Sequence, residues 1–292
     1  MDTFNSPILL ADYCCDTGEG PTWNRAEQRL YWTDIPTGRV FRYDPQAGKH
    51  EQCLGGRLVA AFTIQEDGSF LLFGKNGSIS IWSDGAVSEI VPEIPSEVGT
   101  RFNDVAVDPA GRVFCGTMSS STHPGRLFRL NNDASLDVLI EGVDISNGIG
   151  FTTDRRTMYL SESKPGLIHA FDYDEVEGSI RNQRIFAEVP PYDGVPDGLT
   201  VDADNYVWSA RWDGYCAVRY APDGSIDRKI SFPVPKVSSL IFGGPDFTDL
   251  YVTTAGGHQK HVDGPLAGSL FVVKNAGKGV PDYLSKVAIP SR

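Results

Sequence analysis

Four polar residues recur at one position of a repeated segment. Glu19, Asn103, Asn147 and Asp197 stand ten or eleven residues before apolar strand cores that begin at Leu30, Val113, Met158 and Val207. Two carboxylates and two carboxamides supply hard oxygen donors, which suit a divalent cation or the hydroxyls of a small polar molecule. Taken singly, Asn and Asp are ordinary turn residues, because their side chains bond nearby backbone. Glu is a poor turn former, and four such groups at equal offset in a repeat protein sit at equal height, where they converge on one point. The shared offset therefore reads as function.

The repeat supplies the elements that must position them. Its hallmark cores begin at Leu30, Phe70, Val113, Met158, Val207 and Leu250, with successive starts 40, 43, 45, 49 and 43 residues apart. A period of about 40–50 residues marks a solenoid, propeller or array. Short β-rich runs alternate with Asp44-Pro45, Asp67-Gly68, Asp84-Gly85 and Asp223-Gly224, which punctuate hairpins. No long amphipathic helix pattern is present. Four short strands in each of six repeats predict an all-β fold, a single six-bladed β-propeller over residues 1–292 around a central channel. Ile8-Leu9-Leu10 is expected to join the blade holding Leu270-Phe271-Val272-Val273 and so close the ring.

The segment before each hallmark core reads as the first strand of its blade, nearest the axis, with its entry residue at one mouth of the channel. Gly20, Gly148 and Gly198 directly follow polar residues and allow close backbone approach. Pro21 and Pro196 stiffen the same entries. The corresponding positions in the other two units, near Val59-Ala60 and Ser239-Leu240, are apolar or small. The expected site is lopsided, polar from four blades only.

Composition narrows the partners. A net charge of −12, from 38 acidic and 26 basic residues, argues against nucleic acid, whose binding needs clustered Lys and Arg. No apolar run approaches the roughly 18–20 residues of a membrane span. The first residues lack the basic and apolar stretches of a signal peptide, so a cytoplasmic location is expected. The five cysteines are odd in number and form no CxxC pair, which predicts free thiols in a reducing compartment.

In order along the chain, Gly18-Glu19-Gly20-Pro21-Thr22-Trp23, Arg101-Phe102-Asn103-Asp104, Gly116-Thr117-Met118, Ser146-Asn147-Gly148, Pro196-Asp197-Gly198 and Phe242-Gly243-Gly244-Pro245 resemble the motifs of the gluconolactonase/regucalcin (senescence marker protein) family over nearly the whole length. The resemblance implies a six-bladed propeller with one divalent metal in the channel and hydrolysis of a sugar lactone to its aldonic acid. It implies that Glu19, Asn147 and Asp197 match metal ligands, and that Arg101 and Asn103 match substrate contacts. Relatives often carry acidic residues and a longer loop after Gly-Thr-Met. This chain has Ser119-Ser120-Ser121-Thr122-His123-Pro124, which leaves Ser121 and His123 as candidates for the polar substrate contact. Glu162-Ser163, where relatives often have Asp-Ser, reads as structural.

Two carboxylates and an amide oxygen favour Ca²⁺, Mg²⁺ or Mn²⁺, with Zn²⁺ or Fe²⁺ also admissible. Lactone hydrolysis needs a polarised carbonyl, a water and a base, and Asp197, beside metal and water, is the expected base. Arg101 is expected to meet ring hydroxyls or the developing oxyanion, or else to form a structural ion pair, and Asn103 to bond sugar hydroxyls. His258 and His261 read as a surface loop, His50 and His169 as structural. No Gly-x-Ser-x-Gly elbow is present. Two other readings stay open: a non-enzymatic propeller that binds metal or protein, and a broader ester or organophosphate hydrolase using the same metal. Oligomeric state is left open.

Overall fold

The computed structural model describes residues 6–121 and 123–288. Among them the strands form six four-stranded antiparallel sheets. Blade 1 runs Gly18–Asn24, Arg29–Asp34, Arg39–Asp44 and Lys49–Leu54; blade 2 runs Ala61–Ile64, Phe70–Phe73, Ile79–Ser83 and Ala86–Val91. Blade 3 contains Phe102–Val107, Val113–Thr117, Gly125–Leu130 and Leu136–Val143. Blade 4 contains Ser146–Phe151, Thr157–Glu162, Leu167–Asp174 and Ser179–Glu188. Blade 5 contains Val195–Val201, Val207–Trp212, Cys216–Tyr220 and Ile226–Ser231. Blade 6 combines Val237–Gly243, Asp249–Thr254 and Ser269–Val273 with Ile8–Asp12 from the other end of the chain. The expected six-bladed propeller and its closure are both present, with Leu9 opposite Phe271 and Asp12 opposite Ser269.

The hallmark cores are the second strands. Each lies inside its sheet with another blade on either face, so Phe70–Phe73 and Val113–Thr117 are buried throughout. This explains their unbroken apolar runs. The outermost strands face water, and Lys49–Leu54 is exposed over most of its length. Apolar side chains fill the wedges between blades; Trp208 and Phe242, for instance, meet edge to face across blades 5 and 6. Asp84 and Gly85, both at positive φ between paired Ser83 and Ala86, give the tight hairpin that an Asp-Gly pair favours.

The first strands ring the axis, and their entry residues share one face of the disc. The opposite face is crossed by the C-terminal segment. Ala203 N donates to Lys278 O and Gly279 N to Phe247 O on blades 5 and 6. Ser285 N then donates to Ile64 O, and Gln65 both donates to Val287 O and accepts from Val287 N on blade 2. Residues 280–284 therefore span the channel end.

Removing residues 1–12 leaves Ser269–Val273 as an open apolar edge. The truncated protein is expected to melt at lower temperature and to show concentration-dependent light scattering. An unchanged melting temperature would show that the closing strand adds nothing.

Candidate functional site

A one-residue bulge shapes the entry of each polar blade. Two residues of the first strand oppose one of the second between Glu19 and Thr22, Phe102 and Val105, Ser146 and Ile149, and Pro196 and Leu199. Blade 2 pairs without interruption. A bulge frees its residues from the pleat and re-aims their side chains. Aligned by the bulge, Asn103, Asn147 and Asp197 are equivalent, and their blade 1 counterpart is Gly20. Glu19 stands one residue earlier. The equal offset read from the sequence is thus off by one in blade 1. Gly20, at φ +55°, provides the backbone turn there, and its N–H donates to Glu19 Oε2 at 3.1 Å. Gly148 is required by close packing, since a Cβ there would lie 2.3 Å from Leu199 N on blade 5.

Glu19, Asn147 and Asp197 are all buried. Burial, the Asp197 charge and the Asp104 charge push the Glu19 carboxyl well above the usual carboxylate range, against the Gly20 N–H and Arg101. Burial and the Asp104 charge push Asp197 well up too, against hydrogen bonding from the Asn147 amide, the Arg101 charge and the Gly198 N–H. Asp104, displaced by the same bulge toward the channel, is pushed up to about 6 by burial. Negative groups are crowded here with little compensation. Arg101 forms no ion pair among the described residues, and burial lowers its pKa against the pull of Glu19 and Asp197.

Asn147 decides whether a cation fits. Its Nδ2 donates to Ser163 Oγ at 3.0 Å, and its amide also stabilises the Asp197 carboxylate. Its Oδ1 is buried without a partner among the described residues. A buried acceptor left unpaired beside a carboxylate is costly by itself and apt for a metal ion. No cluster of three His, Cys, Asp or Glu side chains suited to a metal occurs among the described residues, so the donor set depends on this amide oxygen. Ser163, read from the sequence as merely structural, orients the amide. Its neighbour Glu162 accepts from Asp144 N and pairs with His169 Nε2 at 3.2 Å.

Arg101 and Asn103 form one unit at the same mouth. Arg101 Nη1 donates to Asn103 Oδ1 at 2.7 Å and to Phe102 O at 2.8 Å. Asn103 Nδ2 donates to Ser146 O at 3.0 Å, tying blade 3 to blade 4. Asn103 thus holds Arg101 in place and keeps one N–H for a ligand. The segment after Thr117 leaves blade 3 on this face, since Thr117 pairs with Phe102. Ser121 is exposed there. His123 turns Nδ1 to Pro124 O at 3.1 Å, and its Nε2 is buried without a partner among the described residues. Neither makes a hydrogen bond to the four polar entries among the described residues; Thr122 lies outside them. Elsewhere, His258 pairs with Asp16 at 3.1 Å on a helical turn, His50 bonds Tyr13 Oη, and all five cysteines are free.

Comparison with known proteins adds family evidence. Residues 17–256 match the SMP-30/Gluconolactonase/LRE-like region. A pentonolactonase of Haloferax volcanii is 44% identical over 287 residues, 96% of this chain and 98% of that protein. Regucalcin of Gallus gallus is 32% identical over 91% of this chain and 93% of its own. The crystal structure of a calcium-binding regucalcin from Agrobacterium tumefaciens superposes with a TM-score of 0.89 over 97% of this chain and 98% of its own, at 23% identity, a likeness of fold.

Two outcomes test the site. Upward shifts mean that buried charge costs stability as pH rises through the folded-state values. In chelator, the melting temperature of Asp197→Asn should exceed that of the wild type by a margin that grows from about pH 5 to about pH 8; a margin that shrinks would refute the paired burial. Ser163→Ala should weaken divalent-ion binding by about 10–100-fold in titration calorimetry, and unaltered affinity would remove Ser163 from the site.

Proposed function

The chain belongs to the SMP-30/gluconolactonase/LRE-like family, and from that premise and the geometry we propose that it hydrolyses a sugar lactone to the aldonic acid, with a divalent ion held by Glu19, Asn147 Oδ1 and Asp197. The buried Asn147 Oδ1, unpartnered among the described residues, with its amide beside Asp197, which in turn acts on Glu19, carries the reading. The pentonolactonase relative makes a pentonolactone the first substrate to try.

When bound, the ion supplies Lewis-acid polarisation of the lactone carbonyl and the positive charge that keeps both carboxyls ionised. Asp197 acts as the base. It takes a proton from water as the oxygen attacks the carbonyl carbon, and it returns that proton to the ring oxygen as the C–O bond breaks. The products are a carboxylic acid and a free hydroxyl. Glu19 fixes charge without exchanging a proton, because its Oε2 is engaged by Gly20 N–H. Arg101, braced by Asn103, offers its remaining N–H groups to ring hydroxyls or to the oxyanion, where a preorganised donor is most effective. Ser121 and His123 lie on the loop at the mouth and are proposed to set preference among lactones by touching the hydroxyls farthest from the carbonyl.

Ring opening of pentono- and hexonolactones, followed by acid release, tests this. Chelation should abolish turnover and a divalent ion restore it. Asp197→Asn should lower kcat by at least about 10²-fold while the protein stays folded. Full turnover in chelator, or in the Asp197→Asn protein, would refute the mechanism.

A further inference from the structure

We propose that Asp144 is a positioning residue for the lactone: it holds the chain after Thr117 against blade 4, where Ser121 and His123 select among substrates. The inference deepens the lactonase reading and rests on it. Beneath the polar entries the channel holds a chamber of about 710 Å³ whose wall is mainly apolar, with Val105, Ile149, Leu199 and Leu240 on it. Such a wall offers few hydrogen-bond partners, and an unpaired hydroxyl against it is costly. Selection by the hydroxyls of a lactone therefore falls to the mouth, and there to Arg101, Asn103 and the chain after Thr117. How firmly that chain is held decides how well its side chains are placed.

The tie of Ser119 to blade 4 is Asp144. Ser119 N donates to Asp144 O at 2.7 Å, and Ser119 Oγ donates to Asp144 Oδ1 at 2.6 Å. Farther along, the chain bonds to itself: Ser120 N donates to His123 O at 2.9 Å and His123 N to Ser120 Oγ at 3.2 Å. Asp144 is in turn held from two sides. Its Oδ2 pairs with Lys164 Nζ at 2.8 Å, and its N–H donates to Glu162 Oε1 at 3.1 Å. Hydrogen bonds from Lys164 and Ser119 lower its carboxyl pKa, so it meets Ser119 as an anion, the stronger acceptor.

Asp144 opens a run of four residues that each touch a different part of the mouth. Ile145 bridges Met118, whose N–H donates to Arg101 O at 3.1 Å. Ser146 O accepts from Asn103 Nδ2. Asn147 is the candidate ion ligand, and Ser163, between Glu162 and Lys164, holds its amide. The entry of blade 4 thus carries the substrate contacts and an ion donor in one frame, and Asp144 is the one carboxylate of the four. Removing that carboxylate releases Ser119 Oγ and leaves the ion donors in place.

Kinetics of the full chain loaded with its divalent ion, on pentono- and hexonolactones, test the assignment. Asp144→Ala should raise KM about tenfold, the loss of a hydrogen bond to a charged group, and leave kcat within about twofold. It should also narrow the preference between the two lactone classes and, unlike Ser163→Ala, leave ion affinity in calorimetry unchanged. Asp144→Asn keeps an oxygen for Ser119 Oγ and should stay within about threefold of the wild-type KM. Ser119→Ala should raise KM as Asp144→Ala does, and the double variant no further, since both cut one bond. An unchanged KM in Asp144→Ala, or two effects that add in full, would overturn the proposal. Hydrogen exchange keeps this inference apart from the lactonase reading. The Ser119 and His123 amides should exchange faster in Asp144→Ala whether or not the wild type opens a lactone, and unchanged exchange would overturn the hold on the chain.

Discussion

The structure depends on how it handles buried like charge. Glu19 and Asp197 are brought out of water from separate blades and share the channel with Asp104. Two unit charges at ~4 Å repel by about 4 kcal/mol even at an effective dielectric of about 20. Arg101 offsets part of this from a distance, but it does not form an ion pair among the described residues. The Asn147 amide turns its hydrogens to Ser163 and Asp197 and leaves an acceptor over. The carboxyls and the free amide oxygen add negative potential at one place, and Arg101 opposes them only in part. Under the proposed function a cation would balance this charge; protonation of the carboxyls is the other way of relieving it.

The device that creates this crowding is small. One extra residue in the first strand, repeated in four blades, breaks the ladder where the side chains must leave it. Elsewhere the first and second strands of these four blades pair in unbroken register, so the bulge cannot relax by shifting: a slip of one residue would turn the apolar second strand to the wrong partner. Close approach of the blades then sets position. Gly148 lies against the backbone of blade 5, and the Asn103 bond to Ser146 O joins blades 3 and 4. Site geometry is thus a property of neighbouring blades and not of any one of them.

The two ends of the channel are built differently. One end carries the bulged entries and the loops of the ring. The other is crossed by the C-terminal segment, held on blade 2 by the two-way bond between Gln65 and Val287. Between them lies aliphatic wall. The bulged polar entries are confined to one mouth, and the carboxyls there experience the low-dielectric interior on their inner side.

Much of the architecture was legible in the sequence because second strands are buried on both faces. Leu30, Phe70, Val113, Met158, Val207 and Leu250 open continuous apolar runs, and their spacing counted the blades. The outer strands, such as Lys49–Leu54, look outward to water and carry no such signal. Glu19, Asn147 and Asp197 could be picked out by residue type and offset, since oxygen-bearing groups recurring in a repeat must share a height. Which way each side chain turns could not be read, because a bulge is a relation between two strands and leaves no mark on either alone. For that reason the sequence offset puts Glu19 in the place that Gly20 holds, and gives no sign that the Ser163 hydroxyl holds the Asn147 amide. Repeat, blade number and donor types follow from local pattern. The direction of each donor, the raised carboxyl pKa values and the chamber beneath them exist only once six blades close on a common axis and exclude water from it.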